Sequence, residues 1–102
     1  MTVLSILRLV PRPGAADELA RRFGALGIFE HSRRSGGFLD GRLLRPLEGD
    51  AFVVVAEWET PEAYQAWLDN PLRATLGAEL EPLLDADVRS GQLYEEVRWP
   101  TG

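Results

Sequence analysis

The apolar residues of this chain follow two spacings, which predict strands alternating with helices. Nearly continuous apolar runs over Thr2–Val10 and Ala51–Glu59 indicate buried strands, and Phe38–Leu47 is typical of another. The turn residues of Glu48–Asp50 separate two of these runs. We therefore expect Phe38–Leu47 and Ala51–Glu59 to pair as an antiparallel hairpin.

The segment after the first strand has the spacing of an amphipathic helix. Leu19, Phe23 and Leu26 are four and three residues apart, which places them on one helix face. A single helix is therefore predicted from Ala15 to about Arg33, and the glycine pair at 36–37 ends it.

Two further helix starts are visible in the second half of the chain. Thr60-Pro61 and Asn70-Pro71 each combine an N-capping side chain with a proline at the first helical position. The first start predicts a short helix that ends at Leu68. The second predicts a leucine-rich helix that reaches Leu84 and is kinked or restarted at Pro82.

The last predicted strand completes a recognisable order of elements. A turn at Arg89–Gly91 leads into a strand over Gln92–Trp99. The resulting order β-α-β-β-α-α-β is that of a split βαβ unit, a ferredoxin-like α+β sandwich with helices on one face of an antiparallel sheet. With 102 residues, the chain is expected to form a single domain over residues 1–102.

Both faces of the predicted sheet are apolar. A sheet that is covered on one side only should alternate apolar and polar residues along each strand. The first and third predicted strands instead carry apolar residues on both parities: Val3, Leu7 and Leu9 against Leu4, Ile6 and Val10, then Phe52, Val54 and Ala56 against Ala51, Val53 and Val55. We therefore predict a homodimer whose sheets pack face to face into a closed α+β barrel.

Composition and charge exclude several classes of function. The net charge of −5 makes nucleic acids and anionic membrane surfaces poor partners. The chain contains no cysteine and one histidine, His31, so thiolate chemistry, iron–sulfur clusters and multi-histidine metal sites are excluded. We expect no bound metal or cofactor. Met1–Val10 is too short and wrongly flanked for a signal peptide, so we expect a cytoplasmic protein.

Several segments together resemble the antibiotic biosynthesis monooxygenase domains of the dimeric α+β barrel superfamily. The most specific is Trp58–Tyr64, which reads WETPEAY, and the resemblance covers nearly the whole chain. It implies the fold and the dimer. It also implies one of several activities: cofactor-free oxidation of anthrone or hydroquinone groups to quinones, quinol oxidation, or haem degradation. The other matching segments are Val10–Gly14, Gly36–Leu39, Val53–Leu68 and Leu93–Val97.

The resemblance also implies roles for particular positions. In the anthrone oxygenases and haem degraders, a strand-one asparagine acts with the tryptophan that ends strand three. Trp58 matches the tryptophan, whereas the asparagine position aligns with Leu7, and Ser5 is the nearest polar residue on the same parity. The histidine of the haem degraders falls within Leu72–Leu76, which contains no histidine, so haem degradation is disfavoured.

These observations lead to one functional hypothesis and two rivals. The chain is predicted to be a cofactor-independent monooxygenase that oxidises an aromatic polyketide anthrone or quinol with dioxygen. The first rival is a protein that binds a small molecule or assists its cyclisation, and the second, disfavoured because the helix histidine is missing, is a haem-binding or haem-degrading protein. Trp58 and Tyr64 would contact the substrate, although both could simply pack in the core. His31 could act as the base, since imidazole titrates near neutrality, or could cap a helix. The predicted pocket residues are Ser5, Leu7, Phe23, Leu26, Arg73, Leu76 and Leu80.

Overall fold

The strands form one antiparallel sheet with helices packed on one face. The computed structural model describes residues 2–85 and 91–99, and the strands within these lie across the sheet in the order Phe38–Leu44, Phe52–Trp58, Val3–Leu9, Gln92–Tyr94. This arrangement confirms the α+β, ferredoxin-like fold. The elements are β1 (Val3–Leu9), α1 (Ala16–Ala25), α2 (Ile28–Ser35), β2 (Phe38–Leu44), β3 (Phe52–Trp58), α3 (Pro61–Leu68), α4 (Pro71–Leu80), a 3₁₀ turn (Glu81–Leu83) and β4 (Gln92–Tyr94).

The register of β1 and β3 decides which side chains face the helices. Val3 lies opposite Trp58, Ser5 opposite Ala56, and Leu9 opposite Phe52. All six of these residues are buried. Because side chains alternate across a strand, Leu7 and Val54 share this helix-facing side, and the residues of the other parity, such as Leu4 and Ile6, point to the opposite face of the sheet.

Both predicted N-caps are present at α3 and α4. The Thr60 hydroxyl accepts a hydrogen bond from the Ala63 amide at 3.1 Å, and the Asn70 side-chain oxygen accepts one from the Leu72 amide at 3.0 Å. A proline follows each cap at the start of the helix. Each cap is worth about 0.5–2 kcal/mol, which accounts for the agreement between the predicted and observed helix starts.

The single helix predicted over Ala15–Arg33 is wrong, because Gly27 interrupts it. Gly27 has φ +63°, a left-handed conformation that only glycine adopts at little cost. The chain therefore ends α1 at Ala25 and restarts as α2 at Ile28. This break sets the direction of α2 independently of α1.

The predictions for the end of the chain also need correction. The predicted break at Pro82 is confirmed, because α4 ends at Leu80 and a 3₁₀ turn over Glu81–Leu83 follows it. The α-helix does not reach Leu84, since Pro82 has no N–H to continue the helical ladder. Strand β4 covers Gln92–Tyr94 and not Gln92–Trp99. Its pairing with β1 ends where Tyr94 lies opposite Leu4. Because β1 begins at Val3, only one residue before Leu4, the rest of the predicted strand has almost no partner. Positions 89 and 90 of the predicted turn lie outside the described residues.

The sheet face opposite the helices carries an apolar surface that we call the outer patch. It consists of residues on the second parity of β1 and β3 and their neighbours on β2 and β4. Ile6 lies opposite Val55, Val53 opposite Leu44, and Leu4 opposite Tyr94. Leu44 and Tyr94 are 47% and 43% exposed, and the other members are half-buried. The outer patch comprises Leu4, Ile6, Leu44, Val53, Val55 and Tyr94.

Candidate functional site

A cavity of about 280 Å³ lies between the sheet and the helices. Its floor comes from the helix-facing residues of β1 and β3, and its walls come from α1, α2, α3 and α4. The lining is largely aliphatic and aromatic. Its volume is just below the range of roughly 300–1,000 Å³ typical of small-molecule sites.

All but two of the residues predicted for the site line this cavity. Leu26 and His31 are the two that do not. Leu26 follows the end of α1 and packs against two groups of buried residues, one that contains Trp58 and one that contains Phe52. His31 is half-buried on α2, and each helical residue is rotated by about 100° from the next, so it points away from the direction of its neighbour Ser32. The predicted residues that do line the cavity are Ser5, Leu7, Phe23, Trp58, Tyr64, Arg73, Leu76 and Leu80.

Trp58 and Ser5 form a buried hydrogen bond at the cavity floor. Trp58 is 1% exposed, and its indole N–H donates to the Ser5 hydroxyl oxygen at 3.0 Å. The two residues are two positions apart in register, because Ser5 pairs with Ala56 on the neighbouring strand. The indole is thus satisfied within the protein, while the Ser5 proton has no acceptor among residues 2–85 and 91–99.

The Tyr64 hydroxyl has the same hydrogen-bonding arrangement as the Ser5 hydroxyl. Its hydroxyl oxygen accepts a bond from the Gly91 amide at 2.6 Å, just before β4. A side chain at Gly91 would approach that oxygen and the Ile6 carbonyl to 3.0 Å, so glycine permits the close contact. No acceptor for the Tyr64 proton is found within the described part of the chain. Two hydroxyls of the cavity, Ser5 and Tyr64, therefore accept a bond from the protein and retain a proton to donate.

A row of aromatic rings gives the cavity its shape. Phe23 meets Phe29 at a centroid distance of 5.3 Å, Phe29 meets Phe38 at 5.7 Å, Phe38 meets Trp58 at 5.3 Å, and Trp58 meets Tyr64 at 5.4 Å. Such edge and offset contacts are each worth about 0.5–1.5 kcal/mol beyond the burial of area. Phe23, Phe29, Trp58 and Tyr64 line the cavity, whereas Phe38 contacts Phe29 and Trp58 without lining it.

Sequence reasoning missed several lining residues on α2 and α4. Phe29 and Ser32 line the cavity because the break at Gly27 redirects α2, and Glu81, just beyond the end of α4, is also a lining residue. The spacing of Phe29 and Ser32 would have identified them only if Gly27 had been taken as a helix end. Arg73, which the sequence analysis predicted for the pocket, lines the cavity from α4.

A family comparison agrees with this architecture. The family model described as antibiotic biosynthesis monooxygenase (ABM) matches residues 2–76. The chain belongs to the ABM family. The match includes Ser5, Trp58, Tyr64 and Arg73, whereas Gly91, which bonds Tyr64, lies beyond it.

Individual relatives of this ABM chain carry different descriptions. This chain is 37% identical over 86 residues to a protein of Mycobacterium tuberculosis named heme oxygenase (mycobilin-producing). The aligned region covers 81% of this chain and 79% of that protein. The structure of SnoaB, described as a cofactor-independent oxygenase from Streptomyces nogalater, matches this chain with a TM-score of 0.77 and 22% sequence identity. The match covers 99% of this chain and 98% of SnoaB. The structure of Rv0793 from Mycobacterium tuberculosis matches this chain with a TM-score of 0.76 and 20% sequence identity, and the match covers 99% of this chain and 100% of Rv0793. The two structures share the fold.

Proposed function

We propose that this ABM chain is a monooxygenase that uses dioxygen, without a bound cofactor, to oxidise an aromatic substrate of the anthrone or quinol type. One observation carries the proposal. Two hydroxyls, Ser5 and Tyr64, each accept a hydrogen bond from the protein and keep a proton for a ligand in an aromatic cavity. The description of SnoaB as a cofactor-independent oxygenase supports it.

The chemistry requires the substrate to lose a proton before it meets oxygen. A hydroxyl that accepts a hydrogen bond becomes a better donor, because neighbouring bonds polarise one another. Donors in an apolar cavity stabilise a developing oxyanion more strongly than the same donors in water. Ser5 and Tyr64 would therefore favour the ionised enolate or phenolate.

The reaction balances without any other electron donor. For an anthrone, the carbanion formed by loss of one CH₂ proton gives one electron to dioxygen, and the two radicals combine to a peroxide anion at the former CH₂ carbon. This anion takes up a proton in place of the one that was lost and becomes a hydroperoxide. Loss of water then leaves a carbonyl at that carbon. One oxygen atom of O₂ is retained in the quinone, and the other leaves as water with the two hydrogens of the CH₂ group. The substrate supplies all the electrons, so the protein need only bind, ionise and shield it.

The relative named as a heme oxygenase makes haem the other ligand to test against this cavity. No histidine, cysteine or methionine occurs among the described lining residues, and these are the usual ligands of haem iron besides tyrosinate. The oxygen of Tyr64, the one tyrosine in that lining, already accepts a bond from Gly91. The residues present do not match a haem-iron site, so we derive no step through haem.

A haemin titration tests this interpretation. We expect the protein to give no sharp Soret band of histidine-ligated iron, because the described cavity wall has no imidazole. Leu76→His would place an imidazole on that wall, and its spectrum would serve as the comparison. A ligated Soret spectrum from the wild-type protein would contradict the proposed substrate class.

Tyr64→Phe is expected to lower kcat/KM by about 10²-fold, the usual cost of removing one oxyanion donor. The change keeps the ring and deletes the hydroxyl. It also removes the acceptor of the Gly91 amide, so a loss of about 0.5–1.5 kcal/mol in stability should accompany it. Oxygen uptake with 1,8-dihydroxyanthrone measures the activity, and thermal unfolding separates the two effects.

His31→Ala tests where the substrate proton goes. Because His31 does not line the cavity, we expect kcat/KM to change by less than about tenfold, below the 10²–10⁴ typical of a general base. A loss within that larger range would assign the proton to His31, as the sequence suggested.

For the Tyr64→Phe variant, an activity equal to that of the wild type would remove Tyr64 from the mechanism.

A protein that binds or helps to cyclise its ligand is the second candidate. The favouring observation is Leu7, an apolar residue that lines the cavity at the position aligned with the family's asparagine. The same assay decides between the candidates. Saturable quenching of tryptophan fluorescence by anthrones and quinols, with no oxygen uptake in the wild-type protein, would favour the binding role.

We also propose that the protein acts as a homodimer through the outer patch. Ile6, Val53 and Val55 form its centre, and Arg8 lies opposite Val53 while Arg42 lies opposite Val55. Glu57 lies on the same face, opposite Leu4. An identical copy related by a two-fold axis would bury the apolar centre and could pair the arginines of one subunit with the glutamate of the other.

A further inference from the structure

Ser32 is a buried cavity hydroxyl that the proposed oxidation does not use. It is 2% exposed and lines the cavity from α2. Its hydroxyl donates to the Ile28 carbonyl, four residues earlier, at 2.8 Å. An alanine would fill the same space without a polar atom, so the hydroxyl invites a functional explanation.

The hydrogen-bonding capacities of Ser32 and Ser5 are opposite. A hydroxyl has one proton and two lone pairs. Ser32 has used its proton on Ile28, and no donor to its oxygen is found within residues 2–85 and 91–99. Ser5 has used its oxygen on Trp58 and retains its proton. The cavity therefore offers an acceptor on the α2 wall and a donor on the sheet floor.

We propose that Ser32 determines substrate specificity by accepting a hydrogen bond from a phenolic hydroxyl of the ligand. Ser5 donates to a carbonyl or enolate oxygen of the same molecule. The cavity thus selects aromatic ketones that also carry a ring hydroxyl. This inference rests on the proposed function in that it takes the cavity to be the substrate site, but it does not depend on the oxygen step.

Selectivity follows from the cost of an unmatched lone pair. A ligand without the hydroxyl would cover the Ser32 oxygen with apolar surface and leave it without a donor. A methyl ether would also place a methyl group against that oxygen. Sites built to bond a substrate hydroxyl reject analogues lacking it far better than apolar pockets distinguish ligands by size.

The test compares binding of 2-hydroxyanthraquinone, 2-methoxyanthraquinone and anthraquinone by tryptophan quenching. In 2-hydroxyanthraquinone the hydroxyl cannot bond its own carbonyl, and the titration is run at a pH where the phenol keeps its proton. We expect the wild-type protein to bind the hydroxy compound about five- to tenfold more tightly than either analogue. Ser32→Ala should bring this ratio to about one.

Thr75→Ala is the matched control. The Thr75 hydroxyl makes the same type of bond to the carbonyl four residues earlier, Pro71, at 3.3 Å, but Thr75 is exposed and does not line the cavity. This variant should keep the wild-type ratio. Ser32→Ala should fold, since alanine has the highest helix propensity. In Ser32→Cys the thiol is a poor acceptor, so this variant should also show a reduced preference for the hydroxy compound over its analogues.

The outcomes separate this inference from the oxygenase proposal. A wild-type protein that binds none of the three compounds, or binds them equally, overturns the role of Ser32, as does a Ser32→Ala variant that keeps the ratio. A collapsed ratio in Ser32→Ala together with no oxygen uptake by the wild type overturns the oxygenase proposal and leaves the role of Ser32 standing.

Discussion

Ile6→Asp is expected to convert a dimeric protein into monomers. Ile6 lies at the centre of the outer patch, with Val55 and Gln92 as its cross-strand neighbours. Neither neighbour can neutralise a new carboxylate, whereas an Asp at Val53 or Val55 would lie opposite Arg8 or Arg42. Sedimentation velocity, with far-UV circular dichroism to confirm the native fold, measures the effect.

The expected size of this effect is large because a symmetric interface would contain the substitution twice. An unpaired buried charge costs about 3–5 kcal/mol, so the dissociation constant should rise by several orders of magnitude. Leu47→Asp makes the same kind of change in the loop between β2 and β3, where Leu47 is fully exposed, and should remain dimeric. A native wild-type monomer, or a dimeric Ile6→Asp variant, would refute the proposed interface.

Trp58→Ala is expected to lower the free energy of unfolding by about 3–5 kcal/mol, as large-to-small changes of buried tryptophans do. The ring is 1% exposed and contacts Phe38 and Tyr64, and its loss removes the bond to Ser5. For a domain of this size the melting temperature should fall by at least ~12 °C. Thermal and denaturant unfolding at fixed protein concentration measure the change.

Two variants define what the loss of Trp58 means. Trp99→Ala makes the same chemical change on a ring that is 78% exposed, and should alter stability by no more than about 0.5 kcal/mol. Trp58→Phe keeps an aromatic ring in place and should reduce turnover more than stability. If Trp58→Ala unfolds like the wild-type protein, Trp58 is not a central element of the core.

Local features of the chain were predictable where neighbouring residues decide them. The caps at Thr60 and Asn70 act within one helical turn, and both helices begin where expected. The hairpin strands agree with the prediction to within one to three residues. The length of β4 was not predictable, since pairing ends where β1, distant in the chain, runs out of residues.

The candidate site shows the same division. The parity of β1 and β3 placed Ser5, Leu7 and Trp58 on the helix-facing side, because side chains alternate across a strand. The positions of His31 and Ser32 depended on the path of α2, which follows from the left-handed conformation of Gly27. A glycine permits that conformation but does not require it, so the helical spacing alone favoured a continuous helix.

The sequence by itself therefore determined the positions of the strands along the chain, the two helix starts at Thr60 and Asn70 and the apolar character of both sheet faces, since periodicity and capping are properties of neighbouring residues. Only the tertiary structure decided how hydrogen bonds are shared across the cavity. The Trp58 N–H meets Ser5, 53 positions away, and the Tyr64 oxygen meets the Gly91 amide, 27 positions away. Which hydroxyl keeps a proton and which keeps a lone pair follows from these long-range contacts, because each group can satisfy its bonding capacity only with the partners that folding brings within reach.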